Sequence, residues 1–141
     1  MKKSITNMEL EKYIKIVSDT KSFRNNAEIK LPGSLDWSLR INLKKMEDVY
    51  SIYHSAQQEL GQRYVTEGKT EDSVVKPEYI DDYKMEMFEL MSQVTEIELT
   101  PLQINDFVTL PLSMPEKDLL FFMCDDEDIE KYAKDNSKSE E

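Results

Sequence analysis

The sequence predicts a mainly helical α+β domain, and three observations carry that expectation. Between Leu35 and Val65 the apolar residues Leu39, Leu43, Met46, Tyr50, Tyr53, Leu60 and Tyr64 recur at steps of three and four, broken only by Gln57. That spacing makes one continuous stripe on a helix and none on a strand. Pro77 then opens a second periodic stretch through Tyr79, Ile80, Tyr83, Met87, Leu90, Met91 and Val94. Finally, the 141 residues include only 3 Gly, with 39% hydrophobic and 33% charged residues, a balance that suits helices better than a turn-rich sandwich or barrel. The expected architecture is an antiparallel hairpin of long helices, about Leu35–Val65 and Pro77–Gln93, with an N-terminal and a C-terminal helix packed on it and a small two-stranded element. Residues 1–124 form one domain, and 125–141 an acidic, disordered tail.

In chain order, Thr6 and Glu9 have capping-box spacing, so a helix runs from Asn7 to about Thr20 with Leu10, Tyr13, Ile14 and Val17 on one face. Asn25 and Asn26 suggest a turn, and Ala27 to Leu31 alternates briefly enough to be a strand candidate. Pro32 and Gly33 break the backbone, after which Ser34 is the expected N-cap of the long helix, with Asp36 near its positive end. Its thirty-one residues span roughly 45 Å, and Ile41, Val49, Ile52 and Ala56 widen the stripe, so contacts from more than one side are expected. The polar stretch Thr66 to Ser73 reads as a surface loop. Thr95, Ile97 and Leu99 alternate with acids and make the best strand in the chain, paired with Ala27–Leu31. Thr100, Pro101 and Gln103 start a short turn bearing Leu102 and Ile104, and Phe107 to Leu112 is an apolar loop. Ser113 and Glu116 repeat the capping spacing before Leu119, Leu120, Phe121, Phe122 and Met123, a piece apolar on all sides and therefore core or interface.

Charge is uneven. Residues 1–70 hold 12 Lys+Arg against 9 Asp+Glu, net +3, whereas residues 71–141 hold 6 against 20, net −14. Such a surface repels phosphate backbones, so direct nucleic-acid binding is not expected. One cysteine, Cys124, makes neither an intramolecular disulfide nor a thiolate cage and fits a reducing interior. Charged residues interrupt any apolar run near the start, so no targeting or membrane-spanning segment is expected and cytoplasmic residence in the host cell follows.

Catalytic chemistry needs groups in pairs with a third to orient them, and a single His54 and a single Cys124 supply none. His54 reads as a packing or surface residue, and Cys124 as a small core residue. Asp125, Asp126, Glu127 and Asp128 lack the alternating oxygens and central glycine of a calcium loop, and Gly33, Gly61 and Gly68 form no phosphate cradle. No catalytic residue, metal or cofactor is therefore assigned. A carboxylate-dependent hydrolase using Asp81, Asp82 or Glu86 with a metal ranks third among the readings. The candidate interaction surface comprises Tyr53, Leu60 and Tyr64 on the long helix, Phe121 and Phe122 on the closing one, and Asp81, Asp82, Glu86 and Glu89 on the second. The plainer uses are core filling for the aromatics and solubility for the acids.

Leu31-Pro32, Arg40 to Glu47 (Arg-Ile-Asn-Leu-Lys-Lys-Met-Glu), the acidic stretch Glu86 to Leu99 and the closing Leu120 to Met123 resemble a group of small, helical phage and prophage proteins of uncharacterised role. The resemblance implies a virus-derived protein and transfers no functional residue. Its missing catalytic constellation and its long seam, which a second copy would help to cover, suggest a non-enzymatic protein–protein interaction or assembly module that acts through a helical surface. The alternative is an acidic decoy that imitates nucleic acid and binds a basic host protein.

Overall fold

The computed structural model describes residues 1–139, the side chains of 138 and 139 excepted, and it is mainly α with two small antiparallel strand pairs. The long helix, α2, runs Gly33–Thr66. It starts after Pro32 with no side-chain cap, so Ser34 lies inside the helix and not at its N-cap, where sequence had put it. The Pro32 carbonyl instead accepts the Asp36 N–H, while Asp36 sits in the first turn as expected. At the other end Gly68 (φ 72°) permits a Schellman closure, its N–H donating to the Val65 carbonyl and the Lys69 N–H to that of Tyr64.

Strand β1 (Lys2–Thr6) and helix α1 (Asn7–Ser18) precede it. The Thr6 hydroxyl accepts from the Glu9 N–H and the Glu9 carboxylate accepts from the Thr6 N–H, completing the predicted capping box. Beyond α2, the expected loop is a hairpin, β2 (Thr70–Glu71) with β3 (Val74–Val75). Its two central residues, Asp72 (φ 52°) and Ser73 (φ 66°), are both left-handed, as the two-residue turn that joins twisted strands requires. One 3-10 turn at Pro77–Tyr79 leads into α3 (Ile80–Met91), and β4 (Val94–Glu98) follows. A 3-10 turn at Ile104–Asp106 and the apolar loop then reach α4 (Met114–Phe122), opened by the Ser113/Glu116 capping box, and α5 (Asp126–Ser139).

Two expectations are corrected. The partner of β4 is β1, with Lys2 opposite Glu98 and Thr6 opposite Val94, and not Ala27–Leu31. The latter stretch is held in turns: the Asn26 side chain accepts the Glu28 N–H and the Asn26 carbonyl accepts the Ile29 N–H, which removes those groups from any ladder. The acidic end, expected to be a disordered tail after one helical turn, is helical from Asp126 to Ser139. Asp126, Glu127 and Asp128 lie in its first turn, where the helix dipole favours them. Ile129 and Tyr132 pack on the core, and Lys3 pairs with Asp126. Residues 140 and 141 of the expected tail lie outside the described ones.

The main core gathers Leu10 and Val17 of α1, Leu35, Leu39, Leu43 and Met46 of α2, Ile5 and Ile97 of the strand pair, Leu119 and Leu120 of α4, and Met123 at its C-cap. Cys124 is buried among them. Only the first half of α2 takes part fully. Asn42, also buried, donates to the Thr100 carbonyl and accepts the Thr100 N–H, both at 2.8 Å, which anchors the exit of β4 to the long helix. The second half of α2 packs with α3 around a separate pair of buried tyrosines, Tyr53 and Tyr64.

Candidate interaction surface

The hairpin of late α2 and α3 brings most of the sequence-nominated residues together, but divides them between its seam and its outside. Tyr64 is buried in the seam. Its hydroxyl donates to Glu86 Oε2 at 2.6 Å, Arg63 Nη2 donates to Glu86 Oε1 at 2.6 Å, and the Tyr83 ring meets the Tyr64 ring edge-on at 5.1 Å. The Glu86 acceptor, with burial second, pushes the Tyr64 phenol up to about 12. Reciprocally, the Tyr64 hydroxyl and then Arg63 hold Glu86 below the ordinary carboxylate range. The Lys69 ammonium lies 5.0 Å from the Tyr64 ring centre and 5.4 Å from that of Tyr79, so the hairpin turn is fastened to the helices by cation–π contact. Gln57, the one break in the apolar stripe, has its use here: its amide donates to the Tyr53 hydroxyl at 2.8 Å.

Tyr53 and Tyr64 are therefore corrected from surface to seam. Leu60 is half-buried beside them. Phe121 and Phe122 are likewise packed within the chain, the former against Phe107 and Tyr132, the latter against Tyr13. Glu86 is engaged as described, while Asp81, Asp82 and Glu89 are exposed. Along the acidic half, Glu98 takes the chain's amino terminus, Asp126 takes Lys3, and the buried Glu116 caps α4. Its negative excess is spread over α3, β4, α4 and α5, with several members paired.

The long seam of α2 is covered largely by this chain's own side chains, with Tyr50 and Leu60 half-buried. Single large apolar residues are exposed elsewhere, Trp37 and Met114 among them, but α3 carries two on one face. None of its residues is buried, and Met85 and Phe88, three apart and so on one helical face, are each 63% exposed. Ile52 and Val65 of late α2 are the other large apolar residues left outside on this hairpin's helices. Phe88 escaped sequence reading because it falls one position off the Tyr83–Met87 stripe; a large aromatic on the polar side of an amphipathic helix was the available signal.

Among the described residues no helix is long and apolar enough to cross a membrane, and no group of three or more His, Cys, Asp or Glu is placed to hold a metal ion. No family model, curated protein or solved structure matches the chain.

Proposed function

We propose that the chain is a non-enzymatic protein–protein interaction module of phage or prophage type, acting in the host cytoplasm through the outer face of α3. One observation carries the reading: a helix with no buried residue presents Met85 and Phe88 to solvent, between the exposed acids Asp81, Asp82 and Glu89. Paired apolar side chains on a helix are the anchors by which helical surfaces engage partners, and aromatics and Met are enriched in such patches. The acids around them set charge preference and encounter rate more than affinity.

The test is site-directed photocrosslinking in host cells, with a benzophenone amino acid at position 88, at 85 and, as control, at the exposed Gln58 of α2. Discrete adducts at 85 and 88 and none at 58 are expected, and adducts at twice the chain's mass would identify self-association. Equal labelling at all three positions, or none at 85 and 88, refutes the reading.

A further inference from the structure

We propose a second site, independent of α3: the cleft between the 23–31 loop and the first three turns of α2 binds a small organic monoanion, a carboxylate on an apolar body. The cleft encloses about 400 Å³, within the range of small-molecule sites. Its floor is apolar, made by the buried Phe23, Leu39 and Leu43 with the half-buried Ile29 and Leu31. Arg24 and Arg40, both exposed, also line it. An apolar pocket edged by a few polar groups takes a ligand of the same division.

The wall is built and not a slack loop. The Phe23 N–H donates at 2.6 Å to Glu116 Oε2, a buried carboxylate reaching across from α4, and so ties the loop's main chain to that helix. Ser22 Oγ donates to the Val17 carbonyl, and Asn25 Nδ2 to that of Asp19. Both guanidiniums also keep donors to spare. Arg24 Nη1 meets Glu47 at 3.1 Å and Arg40 Nε meets Asp36 at 2.9 Å, through one nitrogen each, whereas a guanidinium carries five N–H groups. Exposed ion pairs of this kind are weak and yield readily to a better acceptor.

Charge supports an anion. The lining itself carries two arginines against one carboxylate, Asp36, net +1, in a chain of net −11. The two guanidiniums make this lining locally positive against the overall sign. The Asp36 carboxylate in the lining disfavours a second negative charge, so the fit is to a carboxylate and not to a polyphosphate.

Amide chemical-shift titration of the full chain with 2-naphthoate, and in parallel with neutral 2-naphthalenemethanol, tests this. Saturable shifts confined to residues 23–43 are expected, with the acid binding roughly tenfold tighter than the alcohol, the scale of one charge-assisted contact. Arg24→Gln combined with Arg40→Gln, both exposed and away from the core, should equalise the two ligands without moving the thermal midpoint. Ala27→Trp, which places a bulky ring on the lining, should abolish binding of both. Absence of saturable shifts, equal binding of acid and alcohol to the wild-type chain, or binding that survives Ala27→Trp would overturn the proposal.

Discussion

The two halves of α2 belong to differently built parts of the molecule. The first half is walled in by α1, the β1–β4 pair and α4, and its Leu35, Leu39, Leu43 and Met46 are fully inside one apolar cluster. The second half packs chiefly on α3, and the buried residues it contributes are tyrosines whose hydroxyls are spoken for by Gln57 and Glu86. A core of leucines derives its stability from area removed from water, about 25 cal/mol per Å² of apolar surface. A two-helix arm cannot remove much, so it supplements a narrow seam with hydrogen bonds and ring contacts and leaves α3 half in solvent. One continuous helix thus joins a closed body to an open arm, and the open part is where a partner can still gain by covering Met85 and Phe88.

Substitutions at four levels sharpen or break this contrast. Leu43→Ala, in the body, should lower stability by about 2–5 kcal/mol, the range for emptying a well-packed leucine site, read from the urea midpoint. A much smaller loss would mean that the body is as loosely built as the arm. Asn42→Ala should follow at about 1–3 kcal/mol, because the Thr100 N–H and carbonyl lose a partner that no nearby group replaces. Its effect should appear in amide exchange around β4 before any appears in α3.

The arm's own polar lock is tested by pH. The Glu86 carboxyl is held low in the folded chain, so the unfolded chain takes up the proton first. The contribution of that carboxylate is full above its ordinary value and is lost as pH falls through the folded one. Glu86→Gln should therefore lower the thermal midpoint at neutral pH, with the difference from wild type closing in acid. For Tyr64 the sign is opposite. Its folded value, about 12, lies above the ordinary 10.0, so its contribution is complete below that ordinary value and disappears as pH rises toward about 12. Tyr64→Phe should track wild type progressively more closely over that alkaline interval. A difference independent of pH in either variant would show that packing and not the hydrogen bond holds the seam. Smallest of all, Met85→Ser with Phe88→Ser should change stability by no more than about 0.5 kcal/mol per site, since both side chains are mostly in water. A large loss on urea unfolding would move them from the surface into the seam and withdraw the proposed interface.

Local chemistry was legible to the residue where it is self-contained. Both capping boxes, Thr6/Glu9 and Ser113/Glu116, stand as their spacing predicts, because donor and acceptor lie three positions apart and need nothing else. The long helix was read to within two residues at each end. Its true start was missed by one turn's chemistry, Pro32 and not Ser34 standing at the N-cap. Strand β1 is not legible locally because Lys2 to Thr6 carries Ile5 as its sole apolar residue, and only pairing with β4, about ninety positions away, makes it a strand. The final helix was underread for a similar reason: Ile129 and Tyr132 are too few to form a core, but they suffice once Phe121 offers a surface to complete.

The candidate surface shows the same division. Periodicity nominated Tyr53 and Tyr64 together with the α3 acids, and all lie on the same hairpin, yet periodicity does not distinguish which side of a stripe will be covered. From sequence alone came the helical class, the length of α2, its apolar stripe, the caps and the charge asymmetry, since each depends on residues within one or two helical turns of each other. The pairing of β1 with β4, the burial of the two tyrosines, the exposure of Phe88 and the cleft beside Arg24 and Arg40 were decided only by the tertiary structure. Each of these depends on which distant surface happens to lie opposite, and that is a competition among all the apolar faces of the chain at once.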